Sequence, residues 1–207
     1  NIPTKELRVL AKSLTFSQVS IIPSCPVIIE AFSTTDDESG DAQIIIPFAF
    51  AVKRYKVNPI DYPAEALGET PGVIDFLRAE QVAVMNEAMP ILNSNKSVIL
   101  QLPTGFGKTV IGVHLAVKLG LKTLVITHRG ILMDQWEQAF TDFAPHLRVS
   151  RVKRDHIDIL SSDVLLLSGG IGHKIPLGGF GGIGTCIVDE CHVFCSKMMN
   201  KSLQRVS

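Results

Sequence analysis

The chain has 207 residues, of which 46% are hydrophobic, so it can bury the core of one full domain with a smaller one beside it. Twenty basic and 20 acidic residues give a formal net charge of zero, which excludes the overall basic field of a strongly cationic nucleic-acid-binding protein. No apolar run approaches the roughly 18 to 20 residues that span a bilayer, and a charged and then apolar leader is absent. The four cysteines have no framework spacing, so we expect a soluble, intracellular protein with reduced thiols and no membrane partner.

The first part of the chain differs in character from the rest. Residues 27–32 and 42–47 are rich in branched apolar side chains and are predicted as strands. The acidic segment 34–41 lies between them and is predicted as a solvated loop, so the pattern favours a hairpin. Prolines and glycines then interrupt regular structure and indicate a linker. We therefore predict a small α+β module with its linker over residues 1–70 and an α/β domain over residues 71–207.

The α/β domain begins with a helix, a strand and a loop. Residues 76–93 have apolar positions at helical spacing and are predicted as a helix that Pro90 kinks or shortens. Residues 97–102 form a short apolar run, which is typical of a fully buried parallel strand. Residues 108–119 again show helical spacing, so residues 102–109 lead from a strand into a helix. Such a loop and the following helix N-terminus point their N–H groups at one place, as in a phosphate-binding loop.

The residues of this loop suit a nucleotide. Gly105 and Gly107 allow backbone conformations closed to other residues and let amides approach phosphate oxygens. Lys108 would neutralise the β and γ phosphates, and the Thr109 hydroxyl would bind Mg²⁺. The general pattern G-x-x-x-x-G-K-[ST] is not strictly met, because Leu102 stands where the first glycine belongs. The candidate nucleotide-binding residues of the loop are Leu102, Pro103, Thr104, Gly105, Phe106, Gly107, Lys108 and Thr109.

Strands and helices alternate over the following residues. Residues 122–127, 147–152 and 163–168 are predicted as strands, with a helix over 131–143. This alternation is what a mostly parallel sheet flanked by crossover helices requires. The glycine-rich stretch 169–184 fits either a mobile loop over a ligand or a flexible connection.

Two features of this region have alternative interpretations. Trp136 falls in helical register with Ala139 and Phe140, which favours a packing anchor over a base-stacking platform. Arg148 and Arg151, together with the basic residues that follow, form either a phosphate-facing patch or a solvated edge.

An acidic pair ends the last predicted strand. The buried strand that begins at Thr185 reaches Asp189 and Glu190, at the edge of the sheet where a doubly wound fold binds its ligand. Asp189 there can hold Mg²⁺, and Glu190 can align or deprotonate an attacking water. Lys108, Asp189 and Glu190 are therefore the candidate catalytic residues, with Thr109 and Asp189 as candidate metal ligands.

The loop 103–109 and the sequence Asp189-Glu190-Cys191-His192 resemble motifs I and II of superfamily 2 helicases. Within that superfamily they resemble the DEAD-like group, here of DECH-box type, in which the first glycine of the loop is usually missing. The resemblance implies a RecA-like P-loop domain, ATP and Mg²⁺ as cofactors, and nucleic acid as partner, with DNA favoured over RNA. Residues 44–50 and 76–81 are also similar to helicases of large nucleocytoplasmic DNA viruses, including the poxvirus transcript-release type.

The resemblance also implies roles outside these two motifs. Arg78 and Gln81 match the motif that recognises adenine, for which a glutamine amide offers a donor and an acceptor. His192 lies where the family couples the nucleotide site to the second motor domain. Four residues match segments that contact the nucleic-acid backbone: Thr127, Arg129, Ser168 and Gly169.

For the complete protein, these resemblances imply an ATP-dependent helicase or translocase, of viral origin and acting in transcription or DNA metabolism. Few residues follow Glu190, so we expect an N-terminal part that needs a second RecA-like domain and is weak or inactive alone. A viral protein of this kind would act in the host cytoplasm or reside in the virion. Two alternatives are the motor subunit of a DNA restriction or repair complex and a non-enzymatic recognition module with a docking RecA-like domain.

Overall fold

The structure is a computed structural model that describes most of the predicted α/β domain and parts of the preceding region. The described residues are 4–18, 27–30, 33–36, 42–45, 54–56, 64–67, 76–153, 161–176 and 179–195. No helix among them combines the length and apolar character needed to cross a membrane.

The described residues of the N-terminal region include a ten-residue helix and two antiparallel strand pairs. Helix α1 spans Thr4–Ser13, and strand β1 (Thr15–Gln18) follows it and pairs with β2 (Val27–Glu30). Strand β3 (Ser33–Asp36) pairs with β4 (Ala42–Ile45).

The predicted hairpin between residues 27–32 and 42–47 is therefore wrong. Both segments contain a strand, but each pairs with a partner that the sequence did not suggest. The predicted acidic loop begins inside β3, where the branched Thr34 and Thr35 fit an extended chain. Apolar content identified which segments are extended, whereas pairing depends on contacts between residues that are not neighbours in sequence.

Four parallel strands among the described residues form one sheet in the α/β domain. Strand β5 (Thr123–Thr127) lies between β7 (Val164–Ser168) and β8 (Thr185–Val188), and β6 (Val149–Arg151) pairs with the other side of β7. Thr127 is level with Ser168, and Ile126 is level with Val188. The strands therefore end at one common edge, and the parallel sheet predicted from the alternation of elements is confirmed.

Helices connect and cover these strands. The helices in the described part of this domain are α2 (Ala79–Asn95), α3 (Lys108–Leu119), α4 (Gly130–Phe143), the one-turn α5 (Gly169–Gly172) and a 3₁₀ helix (Cys191–Cys195). Helices α3 and α4 confirm the predicted helices 108–119 and 131–143, and Gly120, with a φ of 64°, ends α3 in a left-handed cap. Helix α2 continues through Pro90, so the proline does not shorten it.

Alternate residues of the central strands fill two cores. Val125 and Leu166 pack with α3 and α4 on one face of the sheet. Leu124 and Leu165 pack on the other face against residues of the 169–195 region. Burial on both faces explains why the central strands are continuous apolar runs. The residues of the second core that follow β7 are Ile175, Phe180 and Phe194.

Two strand predictions are corrected by the structure. Residues 97–102 contain no strand, and Ile99 is 81% exposed. Residues 97–102 pair with none of the described strands. A strand needs such backbone hydrogen bonds to a neighbouring strand. Among the described strands β8 pairs only with β5, and Thr185 is the only residue of β8 that is buried. An apolar run predicts a preference for burial. Actual burial depends on which other elements pack against the run, and the run itself does not identify them.

The two interpretations of the glycine-rich stretch can now be compared with the structure. Of its described residues, Ile175 and Phe180 are buried beneath the sheet, so this stretch contributes to the core as well as connecting two strands. A separate segment, residues 64–67, also lies against this domain. The Glu65 N–H bonds to Gly182 O at 2.9 Å, and the Glu65 carboxylate forms an ion pair with the largely buried Lys122.

Candidate nucleotide-binding site

The loop before α3 has the backbone geometry of a phosphate cradle. Gly105 and Gly107 have φ values of 81° and 91°, in the left-handed region that favours glycine. Gly107 is also the residue from which α3 begins, so the first N–H groups of this helix face the loop. A Cβ atom on Gly107 would lie 2.5 Å from the Gln81 Nε2 atom, so a larger residue there would have to displace the Gln81 amide in addition to adopting a left-handed φ.

Helix α2 holds this loop by hydrogen bonds to its main chain. Gln81 Nε2 and the Arg78 guanidinium both donate to the carbonyl of Phe106, at 2.9 and 2.6 Å. The Gln81 side-chain oxygen accepts the Arg78 backbone N–H at 2.9 Å, and Gln81 is only 2% exposed. Both polar atoms of the Gln81 amide are thus bonded within the chain. Adenine recognition by Gln81 and Arg78 stays a prediction, and the structure adds a role for both residues in fixing the loop.

The loop and the acidic pair meet although they are far apart in sequence. The Lys108 ammonium lies 3.0 Å from a carboxylate oxygen of Glu190, and both side chains are about one-third exposed. The hydrogen bond from Lys108 holds the pKa of Glu190 below its ordinary value, against the opposing effect of partial burial. The catalytic lysine and glutamate of the sequence prediction therefore share one site.

Asp189 is fixed by two hydrogen bonds from different elements. Its backbone N–H donates to Ile126 O at 2.9 Å, which continues the β5–β8 ladder beyond the last strand residue. Its carboxylate oxygen Oδ2 accepts the indole N–H of Trp136 at 3.0 Å. Within the described part of the chain, the second carboxylate oxygen Oδ1 has no hydrogen-bond donor. One carboxylate oxygen is thus held by the protein, and the other is available to a ligand.

Glu190 and His192 form the outer part of this site. Glu190 is a non-glycine residue in the left-handed region, with a φ of 52°, which is uncommon and costs conformational energy. The exposed His192 places Nδ1 3.4 Å from the second Glu190 oxygen. The strained turn after β8 therefore directs the Glu190 side chain towards both Lys108 and His192. The role of His192 in coupling this site to a second motor domain stays a prediction.

The four residues predicted to contact nucleic acid lie beyond the ends of β5 and β7. Ser168 is half-buried and Gly169 is buried, whereas Arg129 at the start of α4 is exposed. Thr127 is fully buried, and its hydroxyl donates to the carbonyl of Arg129 at 3.2 Å. These residues share the sheet edge that carries Asp189, but the Thr127 hydroxyl is already bonded within the chain.

The residues present fit a magnesium–triphosphate complex. Backbone amides at positive-φ glycines and a lysine suit phosphate oxygens. The Thr109 hydroxyl and a carboxylate oxygen of Asp189 are hard oxygen groups of the kind that Mg²⁺ binds together with substrate phosphates. Loop and carboxylates meet beyond the carboxyl edge of a parallel sheet, where ligands bind in open α/β folds.

The parallel sheet, the glycine loop and the Asp-Glu pair at its carboxyl edge agree with the first RecA-like domain of a superfamily 2 helicase, the class that the comparisons with known proteins support. The chain belongs to the family described as type III restriction enzyme, res subunit, which matches residues 74–206. The crystal structure of the UvsW helicase from bacteriophage T4 has the same fold, with a TM-score of 0.59 and 16% identity. That match covers 100% of this chain and 84% of the UvsW chain. The RecA-like fold expected from the resemblance is confirmed.

Viral proteins are among the relatives of this chain. A candidate helicase of Invertebrate iridescent virus 6 is 34% identical over 138 residues, covering 63% of this chain and 31% of that protein. One of Invertebrate iridescent virus 3 is 31% identical over 189 residues, covering 83% and 56%. A candidate ATP-dependent RNA helicase of African swine fever virus is 35% identical over 98 residues, covering 45% and 19%. The chain thus spans less than two thirds of the length of each relative, and the expected kinship with helicases of large DNA viruses is confirmed.

Two contacts of the site were not foreseen from the sequence. The first is the pair of hydrogen bonds that Arg78 and Gln81 donate to the Phe106 carbonyl, for which the sequence carries no local signal. The second is the bond from Trp136 to Asp189. Gly112 leaves room for the Trp136 ring on α3, but it gives no signal for the Asp189 acceptor. Trp136 is indeed buried against α3, which confirms its prediction as a packing anchor.

Proposed function

We propose that this chain binds Mg-ATP and forms the first motor domain of an ATP-dependent nucleic-acid helicase or translocase. The contact between Lys108 and Glu190 carries the proposal, because it brings the two halves of a phosphoryl-transfer site within 3.0 Å of each other. Membership of the family and the kinship with viral candidate helicases support it. We further propose that the complete protein is viral and acts on nucleic acid in transcription or DNA metabolism.

The pairing of Lys108 with Glu190 indicates how the site would respond to ATP. Lys108 exchanges its carboxylate partner for the β and γ phosphate oxygens, which frees Glu190 to orient a water molecule. The water oxygen bonds to the γ phosphorus while the bond to the β–γ bridging oxygen breaks, giving ADP and phosphate. Glu190 accepts the proton of the water. Mg²⁺ held by Asp189 and Thr109 would offset the charge of the phosphates.

Nucleotide binding by the 207-residue chain tests this assignment. We expect weak Mg-ATP binding in calorimetric titration, and at least a tenfold loss of affinity in Lys108→Ala because the phosphates lose their cation. Lys118→Ala is the matched control, since Lys118 is an exposed lysine at the other end of α3. Equal affinities of the unsubstituted chain and Lys108→Ala would contradict a phosphate-binding role for this loop.

Motor activity requires the complete protein. We propose that a second RecA-like domain supplies the arginine that stabilises the transferred phosphoryl group, and that His192 transmits nucleotide binding to that domain. Nucleic-acid-stimulated ATP hydrolysis that is lost in Glu190→Gln would support an enzyme. Hydrolysis that is unchanged in Glu190→Gln would contradict the role of Glu190, and the absence of hydrolysis with any nucleic acid would favour the non-enzymatic recognition module.

The nucleic-acid substrate is open to a direct comparison. We propose DNA, whereas the African swine fever virus relative is named as an RNA helicase. Stimulation of ATP hydrolysis by single-stranded DNA and by RNA of the same sequence distinguishes them. Stronger stimulation by RNA would overturn the DNA assignment and leave the motor assignment intact.

The family description favours a second candidate function. A res subunit is named for restriction enzymes, so the chain could instead be the motor of a DNA restriction or repair complex. DNA cleavage that depends on ATP hydrolysis by the complete protein would establish this alternative. Unwinding or translocation with intact DNA would reject it.

A further inference from the structure

The indole of Trp136 provides the only side-chain hydrogen bond to Asp189 within the described part of the chain. Trp136 is 2% exposed, and its Nε1 atom lies 3.0 Å from the Asp189 Oδ2 atom. An indole N–H can only donate, and when buried it needs an acceptor. The bond joins α4 to the turn after β8, two elements that are separated by 53 positions along the chain.

Packing determines where this N–H lies. A Cβ atom on Gly112 of α3 would lie 2.3 Å from the Trp136 Cη2 atom, so the ring occupies the space that a side chain at Gly112 would fill. Phe140 packs beside the ring, with centroids 6.1 Å apart. The indole therefore cannot shift towards α3, and its N–H has a fixed position relative to the helix that follows the phosphate loop.

A carboxylate held in this way has a restricted orientation. The Asp189 backbone is fixed by its bond to Ile126, so rotation of the side chain is the main freedom left to the carboxylate. The Trp136 N–H holds Oδ2 and leaves Oδ1 without a donor from the described residues. Groups that bond to a metal ligand in this way orient it, and their removal typically costs about 10- to 100-fold in metal affinity or activity.

We propose that Trp136 is a positioning residue of the nucleotide site, which orients Asp189 so that its free oxygen meets Mg²⁺. This inference rests on the proposed binding of Mg-ATP. It gives Trp136 a role that packing alone does not require, since a ring of the same shape without the N–H would fill the same space. The contribution of Trp136 to Mg²⁺ binding therefore separates from its contribution to the fold.

Replacement of the N–H by sulfur tests the proposal. The chain has one tryptophan, so incorporation of benzothienylalanine in place of tryptophan alters Trp136 alone and keeps the fused ring. Calorimetry then measures the affinity for a non-hydrolysable ATP analogue with Mg²⁺ and with EDTA. We expect the gain in affinity that Mg²⁺ provides to fall about tenfold or more, with the affinity in EDTA unchanged.

Two further chains complete a double-mutant cycle, one with Asp189→Asn alone and one with Asp189→Asn and the sulfur analogue together. If Trp136 acts through Asp189, the sulfur analogue should have no further effect on the Mg²⁺ gain once Asp189 is replaced. An equal Mg²⁺ gain in the unsubstituted and analogue-containing chains would overturn the positioning role, even if their thermal stabilities differ. An unsubstituted chain without any Mg²⁺ gain would overturn the proposed function itself, and the two failures are thus distinguishable.

Discussion

The phosphate loop and the acidic pair face each other, but the protein fixes them in different ways. The loop is fixed through its main chain, by two positive-φ glycines and by donors from α2 to the Phe106 carbonyl. The acidic pair is fixed mainly through its side chains, by Lys108 on Glu190 and by Trp136 on Asp189. Changes in the loop should therefore affect stability and binding together, whereas conservative changes in the acidic pair should affect chemistry and leave the fold intact.

The largest expected effect comes from the acidic pair. Glu190→Gln keeps the size of the side chain but removes the proton acceptor, so hydrolysis by the complete protein should fall about 10²- to 10⁴-fold. Binding of ATP should persist, because the loop is unchanged. Steady-state hydrolysis and calorimetric titration measure the two properties separately.

Glu87→Gln is the control for this substitution. Glu87 is an exposed glutamate of α2, away from the site, and the same chemical change there should alter neither property. A parallel loss of binding and hydrolysis in Glu190→Gln would contradict the view that the acidic pair can change without altering the loop.

A glycine pair in the loop gives the next largest effect. Gly107→Ala should destabilise the domain by about 1–3 kcal/mol, because it combines a left-handed φ with a close approach to Gln81. Gly105→Ala has the same kind of φ but open space around it, so conformational strain alone should cost about 1–2 kcal/mol. Urea unfolding and nucleotide titration measure stability and binding for both variants.

Gly130→Ala is the control, since its Cβ would meet nothing within 4 Å and its φ lies outside the left-handed region. If Gly107→Ala were as stable as the unsubstituted chain, the loop would not be fixed through its main chain in the way the contacts indicate. Equal effects of Gly105→Ala and Gly107→Ala would assign the cost to strain and none of it to the contact with Gln81.

Removal of the Gln81 amide should have a smaller effect. Gln81→Leu removes the acceptor of the half-buried Arg78 backbone N–H and one of the two donors to the Phe106 carbonyl, which should cost about 0.5–1.5 kcal/mol. Nucleotide affinity should fall at the same time, and it should fall for both ATP and GTP, since a misplaced loop weakens every triphosphate. Loss of affinity for ATP alone would instead support direct adenine recognition by Gln81.

These contacts show why the sequence predicted some features and missed others. Helices α3 and α4 and strands β5 and β7 were predicted because their apolar spacing is a local property of the chain. The meeting of Lys108 with Glu190 was also predictable, because parallel strands end at one edge and a loop before a helix opens onto that edge.

What the sequence could not predict depends on partners distant along the chain. The N-terminal strands were recognised, yet β2 pairs with β1 and not with β4, since any extended apolar segment can pair with several others. Residues 97–102 have the composition of a buried strand but lie outside the described sheet. The acceptor of the Trp136 N–H could not be predicted either. Helical register shows which face of a helix is buried, but it does not show which polar group that face contacts.

The smallest effects should come from the basic residues near β6, which lie away from both halves of the site. Arg151 pairs on the surface with Asp134 and Glu137 of α4, and these hydrogen bonds raise its pKa. Arg151→Ala should cost less than about 1 kcal/mol because the pairs are exposed.

Arg148→Ala should cost more, since Arg148 donates two hydrogen bonds to the carboxylate of the buried Asp163. Urea unfolding ranks the two variants, and neither should change nucleotide affinity. The phosphate-facing interpretation of this patch would replace the structural one if Arg151→Ala left stability unchanged but changed nucleic-acid binding. The expected change would be a decrease of about one in the magnitude of the slope of log affinity against log salt concentration.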